Sequence, residues 1–119
     1  MNKSILIAED EEFIANLYKL NLERHGVDVD IVADGAAAID AIDAKQPDIL
    51  LLDLLMPNKN GYQVLEHIRQ KGYAFPVIIL TNLSQDIDRR KCEDLGVKDY
   101  LVKSDLTVEE LWTKLSVLL

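Results

Sequence analysis

Four short apolar runs, each stopped by a polar or charged residue, constrain this chain more than any other feature. Ile5-Leu6-Ile7-Ala8 ends at Glu9, Ile49-Leu50-Leu51-Leu52 at Asp53, Val77-Ile78-Ile79-Leu80 at Thr81, and Tyr100-Leu101-Val102 at Lys103. Apolar runs without alternation suit strands covered on both faces, the condition of strands in a parallel sheet. A fifth strand reads differently. Val27, Val29 and Ile31 alternate with Asp28 and Asp30, so it is half exposed and belongs at a sheet edge.

Helical spacing fills the intervals. Glu11 to His25 carries Ile14, Leu17, Tyr18 and Asn21, with acids in its first turn and Gly26 just past its end. Ala36 to Lys45 carries Ala38, Ile39 and Ile42, and Pro47 closes it. Tyr62 to Lys71 carries Val64, Leu65 and Ile68 and stops at Gly72. Gln85 to Leu95 is the weakest helix, with a thin apolar face of Ile87, Cys92 and Leu95. The last helix opens at a capping box, Thr107 with Glu110, and stripes Val108, Leu111, Trp112, Leu115 and Leu118.

Strands alternating with helices imply an α/β chain with a doubly wound, five-stranded parallel sheet, because each crossover is right-handed. A length of 119 residues suits one domain, taken as 1–119. Strand order 2-1-3-4-5 leaves the alternating second strand at an edge, as its pattern requires, and places the reversal of strand order between the first and third strands. Ligands bind in such sheets beyond the carboxyl ends of the strands, at that reversal. Glu9, Asp10 and Asp53 therefore share one crevice, with Thr81 and Lys103 looking in from one side.

Three converging carboxylates repel each other by about 4 kcal/mol per close pair at an effective dielectric near 20. Either one takes up a proton or a cation sits among them. Oxygen donors without His or Cys suit a hard divalent ion, and Mg²⁺ accepts a site short of protein ligands because it keeps several waters. Such an ion accompanies phosphoryl chemistry, for which Lys103 supplies a cation and Thr81 a hydroxyl donor. The five glycines are dispersed at 26, 35, 61, 72 and 96, so no glycine-rich cradle for a nucleotide polyphosphate is present. Cys92 falls within a helix and reads as a small core residue. The nucleophile left is Asp53, able to form an acyl phosphate.

Charge narrows the partners. Thirteen Lys and Arg against twenty-one Asp and Glu leave a formal charge of −8, which disfavours nucleic acid and anionic membranes. One Cys and two His, His25 and His67, exclude an internal disulfide and the usual structural zinc sites. The apolar run near the amino terminus is too short for a signal peptide or a membrane span, so the expected location is cytoplasmic.

With these residues in place, the chain resembles the receiver domains of two-component response regulators over its entire length. Ile5 to Glu11 resembles the acidic end of the first strand in that family. Leu51 to Gly61, with Asp53, Met56, Pro57 and Gly61, resembles the phosphoacceptor strand and its loop. Leu80-Thr81 and Asp99 to Lys103 match the switch hydroxyl, the switch aromatic and the lysine. The resemblance implies a flavodoxin-like (βα)5 fold and a phosphorylation-dependent switch rather than an enzyme acting on other molecules. Asp53 would accept a phosphoryl group from a phosphohistidine of a sensor histidine kinase or a histidine phosphotransfer protein. Asp10, Asp53 and the Leu55 backbone carbonyl would bind Mg²⁺ directly, with Glu9 acting largely through water. Thr81 would hydrogen-bond the phosphoryl group, Tyr100 would turn inward as Thr81 moves, and the face of the fourth helix, fifth strand and fifth helix would be read by a downstream protein or pair with a second copy.

Three positions depart from the family pattern. Ser104 follows Lys103 where proline is usual; a cis peptide without proline costs about 3–4 kcal/mol, so a trans or strained loop is expected. Asn82 follows Thr81 where a small residue is usual, and its side chain would narrow access to the phosphoryl group or hydrogen-bond it. Leu55 offers no polar side chain to orient attacking water, so slow self-dephosphorylation is expected. Elsewhere the plainer readings stand: Trp112 for packing, His25 and His67 for solvated or capping roles, and Asp86 to Lys91 for a solvated face. Two other readings compete: a hydrolase using an aspartyl-phosphate intermediate, which would want a carboxylate where Leu55 stands, and an interaction module of the same fold that is never phosphorylated. The chain reads equally as a stand-alone regulator or as the receiver of a longer protein.

Overall fold

The computed structural model describes residues 2–119. Five parallel strands, β1 (Ser4–Ala8), β2 (Asp28–Val32), β3 (Ile49–Leu52), β4 (Val77–Thr81) and β5 (Asp99–Val102), alternate with α1 (Glu12–Glu23), α2 (Gly35–Ala44), α3 (Gly61–Lys71), α4 (Asp86–Asp94) and α5 (Val108–Ser116). The strands lie in the order β2-β1-β3-β4-β5, as the runs and the alternation require. Every residue of β3 and β4 is buried, whereas β2 at the edge exposes Asp28 and Asp30 and buries Val29.

The two faces of the sheet make two cores. Odd positions of β1 and β3 (Ile5, Ile7, Ile49, Leu51) pack with α1 and α5 through Ala15, Leu22, Leu111 and Leu115. Even positions (Leu6, Ala8, Leu50, Leu52) pack with α2, α3 and Cys92 of α4. The alternation of strand side chains thus sends one apolar run to both faces. Register pairs Ala8 with Leu52 across β1 and β3, so the residues that follow, Glu9 and Asp53, leave the sheet side by side.

Several local expectations are corrected. The buried residues of α1 are Ala15, Tyr18 and Leu22, while Leu17 is exposed. The contact line runs through Ala15, Tyr18 and Leu22, a spacing of i, i+3 and i+7 along one helix face. Trp112 is half-buried rather than central: Leu111 and Leu115 fill the core, and the indole stacks on His25 with ring centroids 4.2 Å apart. The capping box at Thr107 forms as read, with Glu110 N–H donating to the Thr107 hydroxyl at 3.2 Å. No cis peptide occurs among the described residues, so Lys103-Ser104 is trans and enters a 3₁₀ turn over Lys103–Asp105. The Asp86 to Lys91 stretch is not merely solvated. Asp88 accepts a 2.6 Å hydrogen bond from the Tyr62 hydroxyl, and Arg89 donates to the Tyr100 carbonyl at 3.3 Å.

Candidate functional site

Glu9, Asp10 and Asp53 converge where β1 and β3 end, with one carboxylate oxygen of each within 4.8 Å of the others. The sheet does the positioning: the Asp53 amide donates to the Ala8 carbonyl at 3.1 Å and the Glu9 amide to the Val32 carbonyl at 3.0 Å. Glu9 and Asp53 are buried, while Asp10 is exposed at the rim. Lys103, carried by the turn after β5, reaches across the sheet edge. Its ammonium donates to Asp53 Oδ2 at 2.8 Å and contacts Glu9 Oε2 at 2.5 Å. The remaining oxygens are also occupied: Asp53 Oδ1 accepts from the Leu55 amide at 3.3 Å, and Glu9 Oε1 from the Glu11 amide at 3.1 Å.

One ammonium does not neutralise three carboxylates. Burial pushes Glu9 up to about 7; the hydrogen bond from Lys103 opposes this, and the Asp53 charge adds to it. Burial alone would lower Lys103, but its hydrogen bonds to Asp53 and Glu9 outweigh that and hold the ammonium above its usual value. The corner is thus an oxygen-only donor set with surplus negative charge, which suits a hard divalent cation.

Thr81 closes β4 and is fully buried, with its hydroxyl oxygen accepting from the Leu83 amide at 3.4 Å. Tyr100 is buried too. Its hydroxyl donates to the Leu83 carbonyl at 2.6 Å, and the Arg89 guanidinium lies 4.8 Å from its ring centroid. Thr81 and Tyr100 therefore both engage Leu83, which ties the loop after β4 to both residues. Asn82 is exposed between Thr81 and Leu83, and the Leu55 side chain is exposed on the other side of Asp53. Sequence reasoning missed Asp34, Gly35 and Asn58, which meet beside the Asp53 loop: Asn58 Nδ2 donates to Asp34 Oδ2 at 2.9 Å. An Asp-Gly pair opening a helix was the available signal.

A buried acid at the end of the third strand, an acidic pair at the end of the first, and a lysine from the fifth define a class of phosphoryl-handling α/β domain. Comparison with known proteins agrees. Residues 5–116 match the family model described as response regulator receiver domain, and the chain belongs to that family of two-component signalling modules. The alkaline phosphatase synthesis transcriptional regulatory protein PhoP of Bacillus subtilis (strain 168) is 38% identical over 103 residues, covering 87% of this chain and 43% of its own length. The receiver domain of Francisella response regulator 1452 superposes with a TM-score of 0.92 at 30% identity, covering 98% of this chain and 96% of that one. The BeF3-activated N-terminal receiver domain of Klebsiella pneumoniae RstA gives 0.89 at 27% identity, with 97% of each chain covered. Among the described residues no helix is long and apolar enough to cross a membrane.

Proposed function

We propose that residues 1–119 form one receiver domain whose phosphoacceptor is Asp53, supplied by a phosphohistidine of a sensor histidine kinase or a histidine phosphotransfer protein in the cytoplasm. The observation that carries this reading is the Asp53 carboxylate: buried at the sheet edge, bonded to Lys103 at 2.8 Å, and within 4.8 Å of Glu9 and Asp10. A carboxylate oxygen of Asp53 forms a bond to phosphorus as the phosphorus–nitrogen bond of the donor breaks; the imidazole leaves and an acyl phosphate remains. Lys103 offsets charge on the phosphoryl oxygens, and the Thr81 hydroxyl donates to one of them. Glu9, Asp10, Asp53 and the Leu55 carbonyl would hold Mg²⁺, which when bound neutralises the surplus charge of the corner and of the incoming phosphoryl group.

Phosphorylation adds about −1.5 to −2 charge to this corner. Thr81 shifting toward the new oxygens moves its contact with Leu83, and Tyr100 shares that residue, so the change reaches α4, β5 and α5. That face is read by a downstream protein, and a second copy would pair there. The net charge of −8 supports protein rather than nucleic acid as the direct partner of this domain. The domain acts only on itself, and the absence of a polar side chain at Leu55 supports slow loss of the phosphoryl group.

Acetyl phosphate with Mg²⁺, followed by a phosphate-affinity gel, tests the reading. The expected result is one slowly decaying phosphoprotein, abolished by Asp53→Asn. Repeated turnover of donor would establish a hydrolase, and no shifted band under saturating donor would establish an unphosphorylated module. Asn82→Ala is expected to change the decay rate, and an unchanged rate removes Asn82 from the site.

A further inference from the structure

The turn from β2 into α2 touches both halves of the acidic corner. At one end the Val32 carbonyl holds the Glu9 amide at 3.0 Å. Two residues on, the Asp34 carboxylate divides its oxygens: Oδ1 caps α2 by accepting from the Ala37 amide at 2.7 Å, and Oδ2 accepts from Asn58 in the loop that follows Asp53. Asn58 has a φ of 67°, the only positive value at a non-glycine position among the described residues. Asn tolerates that region better than most residues, yet the conformation still needs outside support. Gly35 presses on the same loop. A Cβ there would stand 1.9 Å from the Lys59 carbonyl oxygen and 2.5 Å from its carbon, backbone against backbone with no flexible side chain to yield.

Leu54 is buried and Met56 packs against the core, but the outer part of the loop has no such anchor. Leu55 and residues 57–60 are exposed, and Met56 is only half-buried. Leu55 meanwhile donates its amide to Asp53 Oδ1, so a displaced loop reaches the carboxylate directly. We propose that Asp34 and Gly35 are positioning residues that clamp the Asp53 loop at one distance from the Glu9-Asp10 corner, and thereby set the affinity of the site for a divalent cation. The proposal rests on the reading of Asp53 as phosphoacceptor with Mg²⁺ beside it. A cap and a tight turn alone would affect folding stability; a clamp also affects cation affinity.

The test is calorimetric titration of the full chain with MgCl₂, alongside the magnesium dependence of acetyl phosphate labelling. Asp34→Ala and Gly35→Ala are expected to weaken magnesium binding by about tenfold, the lower end of the cost of losing support for a metal ligand, since they reach Leu55 through the loop and not by contact. Their labelling at saturating magnesium recovers toward wild type, with the half-saturating concentration raised by the same factor. Asp34→Asn keeps an oxygen for the cap, and its new amide donor pairs with Asn58 once that exposed side chain turns its Oδ1 inward, so it restores most of the affinity. Should Gly35→Ala fail to fold, Asn58→Ala removes the hydrogen bond while leaving the α2 cap intact. Folded variants with wild-type magnesium affinity overturn the clamp. If wild type takes no label at Asp53, the functional reading fails instead, and the titration alone still decides the clamp.

Discussion

Asp53 stands between two flanks of unlike construction. On one side, α3 buries Gly61, Val64, Leu65 and Ile68, opens with a capping box between Asn60 and Gln63, and closes on Gly72 at a φ of 72°. On the other, α4 has no side-chain cap at Gln85 and buries only Cys92. What holds α4 is polar: the Tyr62 hydroxyl on Asp88, and Arg89 on the carbonyl and ring of Tyr100. A helix with several buried apolar side chains moves only with its sheet. A helix held by a few hydrogen bonds shifts at the cost of one or two of them. α3 is thus anchored by apolar packing, while α4 is held by contacts that a small shift can break.

Three measurements test that difference, and the largest effect belongs to the packed flank. Leu65→Ala is expected to cost about 2–5 kcal/mol of unfolding free energy in urea, as a fully buried leucine does. A loss below that of Cys92→Ala would mean α3 is not the better-anchored helix.

Between the two flanks, the buried acidic corner sets a pH dependence of its own. The folded value of Glu9, about 7, lies above its ordinary 4.5, so its stabilising contribution is complete below pH 4.5 and is lost as pH rises through 7. In metal-free buffer, the stability of wild type relative to Glu9→Gln is expected to fall across that window by on the order of 1–3 kcal/mol. Added Mg²⁺ should flatten the fall, since a bound cation favours the carboxylate. A flat difference without metal would show that burial does not raise Glu9.

The smallest effect is the most local. Tyr62→Phe deletes the bond to Asp88 and is expected to cost about 1 kcal/mol, because the pair is only partly buried. Hydrogen exchange should quicken in α4 while α3 keeps its protection; equal changes in both helices would show one cooperative unit instead of two flanks.

Much of this was legible in the residues. Abrupt changes from apolar to polar mark the ends of four strands, and because a parallel sheet puts those ends on one edge, Glu9, Asp10, Asp53, Thr81 and Lys103 were brought together on paper. Helix phase was less legible. Ile14, Leu17 and Tyr18 gave α1 an apolar stripe, yet Leu17 is exposed and Ala15 and Leu22 are buried. Apolar side chains on both sides of the contact line leave its angle to the packing of small residues. Asp88 and Arg89 read as solvated because nothing local distinguishes a charged residue facing water from one facing a tyrosine of another helix.

Local polarity patterns were enough for the fold, the strand order and the acids that share the crevice, since they act over a few residues and right-handed crossovers leave few topologies. What surrounds those acids comes from long-range contacts. Asp34 meets Asn58 across 24 residues, and Tyr62 meets Asp88 across 26. Contacts of that range depend on the length of each turn and the lean of each helix, which no local pattern encodes.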